Sequence, residues 1–326
     1  MLLPGSFSAA LAAMVAAMVF WGSWTNTYRL TRKWRLELFH CDYSIGVFLI
    51  AWMAAATGGM LFGAPNFLDN LRGANAGLMA IAVVAGVAVN CGNLLFMEGI
   101  ARVGMAVAFP ISVGLTLVVS TTLSYAIHPL GDPLLLASGA ALVFCAVLAN
   151  AFAYRSMGSR KGAGSRGGLA MCFAAAALFS IAGPLIAKVL APPRPLSPYG
   201  ASALYATGCL IAAGFLLPYL LRRPIGGVPL SMKLYAAGTA RDHAAGLAGG
   251  AIWGVAALCN MLAAGFAGMA VAGAVGQASP LVAAIWGIAV WKEFRGASAR
   301  TLFLLALMIL LYSAGLVLLG RSFRSV

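Results

Sequence analysis

Apolar stretches and short polar ones alternate along the whole of this chain. Ten of the apolar stretches are long enough to cross hydrocarbon as a helix, which takes about 20 residues. They run over about 7–28, 43–63, 75–99, 104–127, 134–154, 169–190, 199–221, 246–265, 268–291 and 302–320. The longest connectors are only about fifteen to twenty-five residues, which leaves no room for an extramembrane domain. The pattern predicts an all-α polytopic membrane protein whose function resides in the helix bundle.

Two stretches carry polar residues at membrane depth, Asn90–Tyr125 and Cys259–Phe294. In the first, Asn90 precedes Pro110 by twenty positions, and in the second Asn260 precedes Pro280 by the same twenty. Both contain Gly-Met-Ala-Val, at Gly104–Val107 and Gly268–Val271, at different offsets from the proline. Lipid cannot satisfy a freed carbonyl or a side-chain amide, so such residues persist only against protein or a wet cavity. One such helix pair per half suggests a transporter built from a repeat. The expected division is a first five-helix unit over 1–154, a basic linker over 155–168 and a second unit over 169–326. Five spans per unit is an odd number, so the second unit enters the membrane in the opposite sense, as a 5+5 inverted repeat.

Composition narrows the class. Hydrophobic side chains make up 62% of the 326 residues and charged ones 9%, against about a quarter charged in soluble domains. The formal charge of +14 does not indicate nucleic acid, because the basic residues sit in short clusters between spans. The connectors after spans 1, 3, 5, 7 and 9 hold four, one, four, four and three Lys or Arg, sixteen of the 21. The positive-inside rule puts these connectors in the cytoplasm and both termini outside. A multi-pass protein of the inner or plasma membrane is expected, with the lipid bilayer as its surroundings, as a monomer or homodimer. The six cysteines are scattered singly and no Cys/His cluster occurs, so neither a disulfide framework nor a metal site is supported. The start, MLLPGSFSAA, lacks a basic n-region, and the first helix is expected to stay. No P-loop pattern occurs, in the linker Tyr154–Gly168 or elsewhere. No cofactor is expected, and the energy for transport would come from a gradient.

The candidate site residues are the polar and aromatic ones inside spans. Trp21, Trp24, Thr25 and Tyr28 fall on one face at helical spacing; such a face stacks on a planar solute, or forms an interfacial aromatic belt. Asn90 and Asn93 share a face, as do Trp253 and Asn260. Each amide offers donors and acceptors to a neutral polar solute, or else bonds neighbouring helices. Gln277 lies beside the carbonyl that Pro280 would free, and Pro110 and Pro280 are expected to kink their helices. Glu98 is the only carboxylate inside a span on these boundaries. It is a candidate for proton coupling, or the partner of Arg102 in an i, i+4 ion pair. No set of residues suited to enzymatic chemistry lies at membrane depth.

Three segments carry a resemblance: Phe20–Ser23 (FWGS), Phe109–Val118 (FPISVGLTLV) and Pro280–Thr301 (PLVAAIWGIAVWKEFRGASART). They are similar to the glucose/ribose porter, rhamnose transporter and ureide permease branch of the drug/metabolite transporter superfamily. The likeness to ureide permeases is the more extensive, taking in Asn93–Tyr125 and Tyr199–Trp286. It implies a ten-helix inverted-repeat fold, secondary active uptake commonly with protons, and a cavity lined by helices 1, 3, 4, 6, 8 and 9. The long central loop of the plant permeases has no counterpart beyond Tyr154–Gly168. The carboxylate they place in helix 4 is replaced by Phe109 in the matching register, which leaves Glu98 as its substitute. The function expected is proton-coupled uptake of a small neutral polar solute, such as a sugar, ureide or nucleobase. Export of metabolites or drugs, and a non-transporting assembly or lipid-binding role, are the alternatives.

Overall fold

The computed structural model describes residues 3–31, 34–61, 66–127, 132–156, 165–192, 195–224 and 228–322. Most of the linker expected over 155–168 lies outside them, as do both chain ends and the basic residues Arg32, Lys33, Arg160, Lys161, Arg194 and Arg324. Among the described residues ten segments are long and apolar enough to cross a membrane, so the protein is a polytopic all-helical membrane protein.

The helices, in chain order, are α1 (Phe7–Ser23), α2 (Leu36–Ala56), the short α3 (Phe67–Arg72), α4 (Ala76–Val103), α5 (Met105–Phe109), α6 (Leu115–Ile127) and α7 (Pro133–Ser156). They continue with α8 (Ser165–Leu190), α9 (Pro198–Arg222), the short α10 (Met232–Ala236), α11 (Ala240–Ala267), α12 (Met269–Gly276), α13 (Ser279–Ile285) and α14 (Ala299–Ser322). Two spans are composite. A π-helical turn at Pro110–Gly114 joins α5 to α6, and α12 and α13 are separated at Gln277–Ala278 and followed by a second π turn, Trp286–Val290. Pro110 opens the first π turn, whereas Pro280 sits in the first turn of α13, where a missing N–H costs nothing. Both prolines therefore mark breaks in the backbone ladder.

Two helices begin earlier than hydropathy predicts. Expected from 43, α2 starts at Leu36, and α11 starts at Ala240 instead of 246. The added turns are polar but satisfied. Thr239 caps α11 reciprocally with Asp242, and Glu37 of α2 pairs with Arg35 at 2.9 Å. Buried Glu37 and Asp42 are thus inside a span, and Glu98 is not the sole intramembrane carboxylate.

Packing follows from small residues. At the α2–α11 crossing a Cβ on Gly46 would lie 2.3 Å from the Leu247 carbonyl oxygen, and one on Gly250 1.9 Å from that of Tyr43. At the α4–α9 crossing the same holds for Gly208 on Val83 (2.0 Å) and Gly86 on Tyr205 (1.9 Å). Lipid gives no hydrophobic drive for helices to associate, so close backbone approach through glycine supplies the dispersion contact instead. Gly86 and Gly250 are 164 positions apart, as are Gly104 and Gly268. The latter two adopt φ +89 and +81, a left-handed turn that glycine makes without strain, between α4 and α5 and between α11 and α12.

Candidate functional site

One cavity of about 100 Å³ lies among α1, α4, α5, α8, α9, α11 and the broken α12–α13 span. Its walls are mainly aromatic. Trp253 stacks on Tyr205 with centroids 5.9 Å apart and planes at 7°, and Trp21 leans on Trp253 at 6.2 Å. Trp24 packs on Tyr43 at 4.7 Å and closes one end. Towards the other end the lining passes Gly183, Ile186, Met261 and Met269. Those residues lie near the C-terminal ends of α8 and α11 and the start of α12, so the cavity runs toward that face of the bundle.

The polar lining consists of amides, hydroxyls and indole N–H groups. Asn93 donates to the Tyr43 hydroxyl at 2.8 Å, which leaves its carbonyl oxygen free to accept. Asn260 donates to the Ala272 carbonyl at 2.6 Å and so fixes α12 against α11, again with its oxygen to spare. The Trp21 indole N–H is buried and has no partner, an uncommon condition for a donor away from water. Gln277 and Ser279 line the cavity at the helix break, and the backbone carbonyl of Gln277 accepts from Tyr312 at 2.8 Å. None of the lining residues is charged.

Of the seven residues expected to bind solute, Trp21, Trp24, Asn93, Trp253, Asn260 and Gln277 line this cavity. Asn90 does not. Its side chain is fully buried, donating to the Cys209 carbonyl at 2.8 Å and to Ser44 at 3.1 Å, and so ties α4 to α9 and α2. Their shared spacing, twenty positions before a proline, thus does not give Asn90 and Asn260 the same surroundings. The face expected along α1 also ends early, because Trp24–Leu30 is a 3-10 helix. Tyr28 there donates to the Trp34 carbonyl at 3.1 Å, outside the cavity. Glu98 pairs with Arg102 at 2.7 Å and is not in the lining. Tyr205 and Phe179 of the lining are not singled out from the sequence, whereas Ser279, beside Gln277, is expected as polar lining and is found there. An aromatic hydroxyl among the mostly small residues Gly200–Gly208 of α9 was the available signal for Tyr205.

On the face opposite to the direction of the cavity, Glu293 joins three segments. Its two carboxylate oxygens accept from the backbone N–H groups of Met105 and Ala106, at 3.0 Å each, and one also takes Arg29 at 3.0 Å. Arg29 in turn lies 4.2 Å over the Trp291 ring, and the Trp291 indole donates to Asn26 at 2.7 Å. Trp286 donates to Ser23 at 3.0 Å. The end of α1, the start of α5 and the segment after α13 are thereby clamped together.

Comparison with known proteins follows this architecture. A solved crystal structure superposes with TM-score 0.60 at 14% identity, over 97% of this chain and all of the other, a likeness of fold alone. Among curated proteins, ureide permease 1 of Arabidopsis thaliana is 34% identical over 119 residues, 36% of this chain and 30% of its own. Probable ureide permease A3 of Vigna unguiculata is 35% identical over 122 residues, 36% and 32% respectively. The matched segment thus spans about a third of each relative's length. The profile of the ureide permease family, a family of transporters and not of enzymes, matches residues 39–163 and 167–322, nearly the whole described bundle. The chain belongs to the ureide permease family.

Proposed function

We propose that this protein moves a small, uncharged ureide across the membrane by alternating access, binding it in the aromatic cavity. The observation that carries this reading is the lining itself: stacked rings, amide oxygens, an unpartnered indole N–H and no charge. A cyclic ureide is a flat ring with carbonyl acceptors and N–H donors around its edge. Its faces suit the Trp253–Tyr205 wall, its N–H groups the Asn93 and Asn260 oxygens, and its carbonyls the Trp21 indole and Gln277. A charged solute would enter this apolar space without a counter-charge, at a cost of several kcal/mol or more. The relatives' names point to the same solute class.

An inverted repeat of two five-span halves is the natural frame for alternating access. Two features support it. The positive-φ glycines recur at one offset, and the glycine-mediated α2–α11 and α4–α9 crossings exchange under the repeat. The Glu293 clamp then closes the basic face, cytoplasmic on the positive-inside reading, while the cavity runs toward the outside. Purified protein in liposomes should take up labelled hydantoin, the simplest cyclic ureide, in preference to glucose. Uracil, which shares the ring and its N–H groups, tests the nucleobase alternative. Glucose uptake with no hydantoin uptake would refute the ureide assignment.

A further inference from the structure

Among the described residues four carboxylates are ion-paired, and three of them have arginine as partner: Glu37 with Arg35, Glu98 with Arg102, and Glu293 with Arg29. Asp42 has only histidine. Its Oδ2 lies 3.0 Å and its Oδ1 3.1 Å from Nδ1 of His243, and Oδ1 also accepts from the Tyr235 hydroxyl at 2.5 Å. Arginine stays charged at every working pH, whereas imidazole is the side chain that ordinarily titrates between pH 5 and 8. The one switchable pair therefore belongs to the most buried of the four carboxylates, 3% exposed against 4, 8 and 16% for Glu37, Glu293 and Glu98.

The surroundings make this pair consequential. His243 is 27% exposed and so keeps a path for protons to water, with Trp34 edge-on at 5.1 Å. Burial and the neighbouring Asp42 push the Tyr235 phenol well above its usual range, so it remains a donor. Of the other titratable groups on these elements, Cys41 lies against the Tyr235 hydroxyl and beside Asp42. Glu37 is turned to Arg35 and Asp242 to the cap at Thr239, and Lys233 and Arg241 form no hydrogen bond or ion pair with Asp42. His40 stacks on Tyr43 at 5.4 Å. Once His243 is neutral, a net negative charge is left in a wedge with little access to water, and such a charge favours any rearrangement that hydrates it.

That wedge has no slack. A Cβ on Gly246 would lie 2.4 Å from Cβ of Asp42, and Gly250 rests on the Tyr43 carbonyl. Tyr43, next in sequence to Asp42, packs on Trp24 and Trp253 and holds Asn93, three residues of the cavity lining.

We propose that Asp42 and His243 form a proton-binding site between α2 and α11, which replaces Glu98 as the candidate and sets, through Tyr43, the shape of the cavity. Its consequence for uptake rests on the transport reading above; the protonation itself does not. The decisive experiment is intrinsic fluorescence of the purified protein from pH 5 to 8.5, for the wild type and for Trp34→Phe. Their difference isolates Trp34, whose emission a protonated imidazole in contact quenches. A single-proton transition is expected in that difference, absent in His243→Gln. In Asp42→Asn its midpoint should move down, because the anion that favours the imidazolium is gone. No transition in the wild type, its persistence in His243→Gln, or an unmoved midpoint in Asp42→Asn would overturn the site. Exchange of labelled hydantoin across liposomes at matched pH on both sides forms the second arm. Its pH profile should shift with the fluorescence midpoint in Asp42→Asn, and an unshifted profile would overturn the link to the cavity. Absence of hydantoin exchange by the wild type would count against the ureide reading and leave the fluorescence result to decide the site.

Discussion

The ring of Trp253 lies parallel to that of Tyr205, planes 7° apart and centroids 5.9 Å from each other, and both form part of the cavity wall. Two helices, α11 and α9, thus contribute parallel, stacked rings to one wall of the cavity. Ring pairs of this kind contribute about 0.5–1.5 kcal/mol beyond the area they bury. Trp253→Leu should therefore raise KM for hydantoin uptake about 2- to 13-fold, with a smaller effect on the maximal rate. An unchanged KM would remove the aromatic wall from the binding site.

The two asparagines that the sequence pairs should separate in experiment. Asn260→Ala takes an amide out of the cavity and should weaken uptake. Asn90→Ala takes one from the junction of α4, α9 and α2, and should lower thermal stability with KM unchanged. Interhelical bonds in membranes average about 0.6 kcal/mol and reach about 1.7, so the shift in melting temperature is expected to be modest but measurable. A raised KM in a well-folded Asn90→Ala protein would contradict this division.

Glu293→Gln keeps an acceptor for one N–H but loses the charge that holds Arg29 and caps the start of α5. Hydrogen bonds to charged groups contribute about 1.5–3 kcal/mol, so the clamped state should lose at least tenfold of its population advantage. The readout is labelling of Ser279→Cys, on a cysteine-free background, by an impermeant thiol reagent applied from the basic side. Labelling should speed up in Glu293→Gln. Equal rates with and without the substitution would show that Glu293 does not hold this face shut.

Gly250→Ala should abolish the folded protein, because the added methyl meets the Tyr43 carbonyl 1.9 Å away and backbone cannot give way as a flexible side chain does. Gly214→Ala, with nothing within 4 Å, should leave yield unchanged or raise stability by about 0.4–1 kcal/mol through the unfolded chain. Similar yields for the two variants would refute the backbone contact between α2 and α11.

Glu98→Gln should reduce protein yield slightly and leave transport and its pH profile intact, as expected for an i, i+4 ion pair at a helix end. Loss of gradient-driven accumulation with hydantoin exchange preserved would reinstate Glu98 as the coupling carboxylate.

The sequence by itself determined the class and the spans. Twenty apolar residues in a row leave no soluble alternative, and the unsatisfied backbone of anything but a helix is too costly in lipid. It also singled out Trp21, Trp24, Asn93, Trp253, Asn260 and Gln277, because polar and aromatic groups at membrane depth stand out against so apolar a background. Hydropathy misjudged the starts of α2 and α11 because it counts Glu37, Asp42 and Asp242 as unfavourable without knowing their partners. Only the tertiary structure supplies those partners, Arg35 two residues back, Thr239 across a cap, and His243 some two hundred positions away. Depth, moreover, is not direction. Asn90 and Asn93 sit three residues apart on one helix, yet one faces Cys209 and the other the cavity. Which way a side chain points is decided by the neighbour it meets, and neighbours from distant helices are fixed only when glycine contacts such as Gly250 on Tyr43 set the register between them.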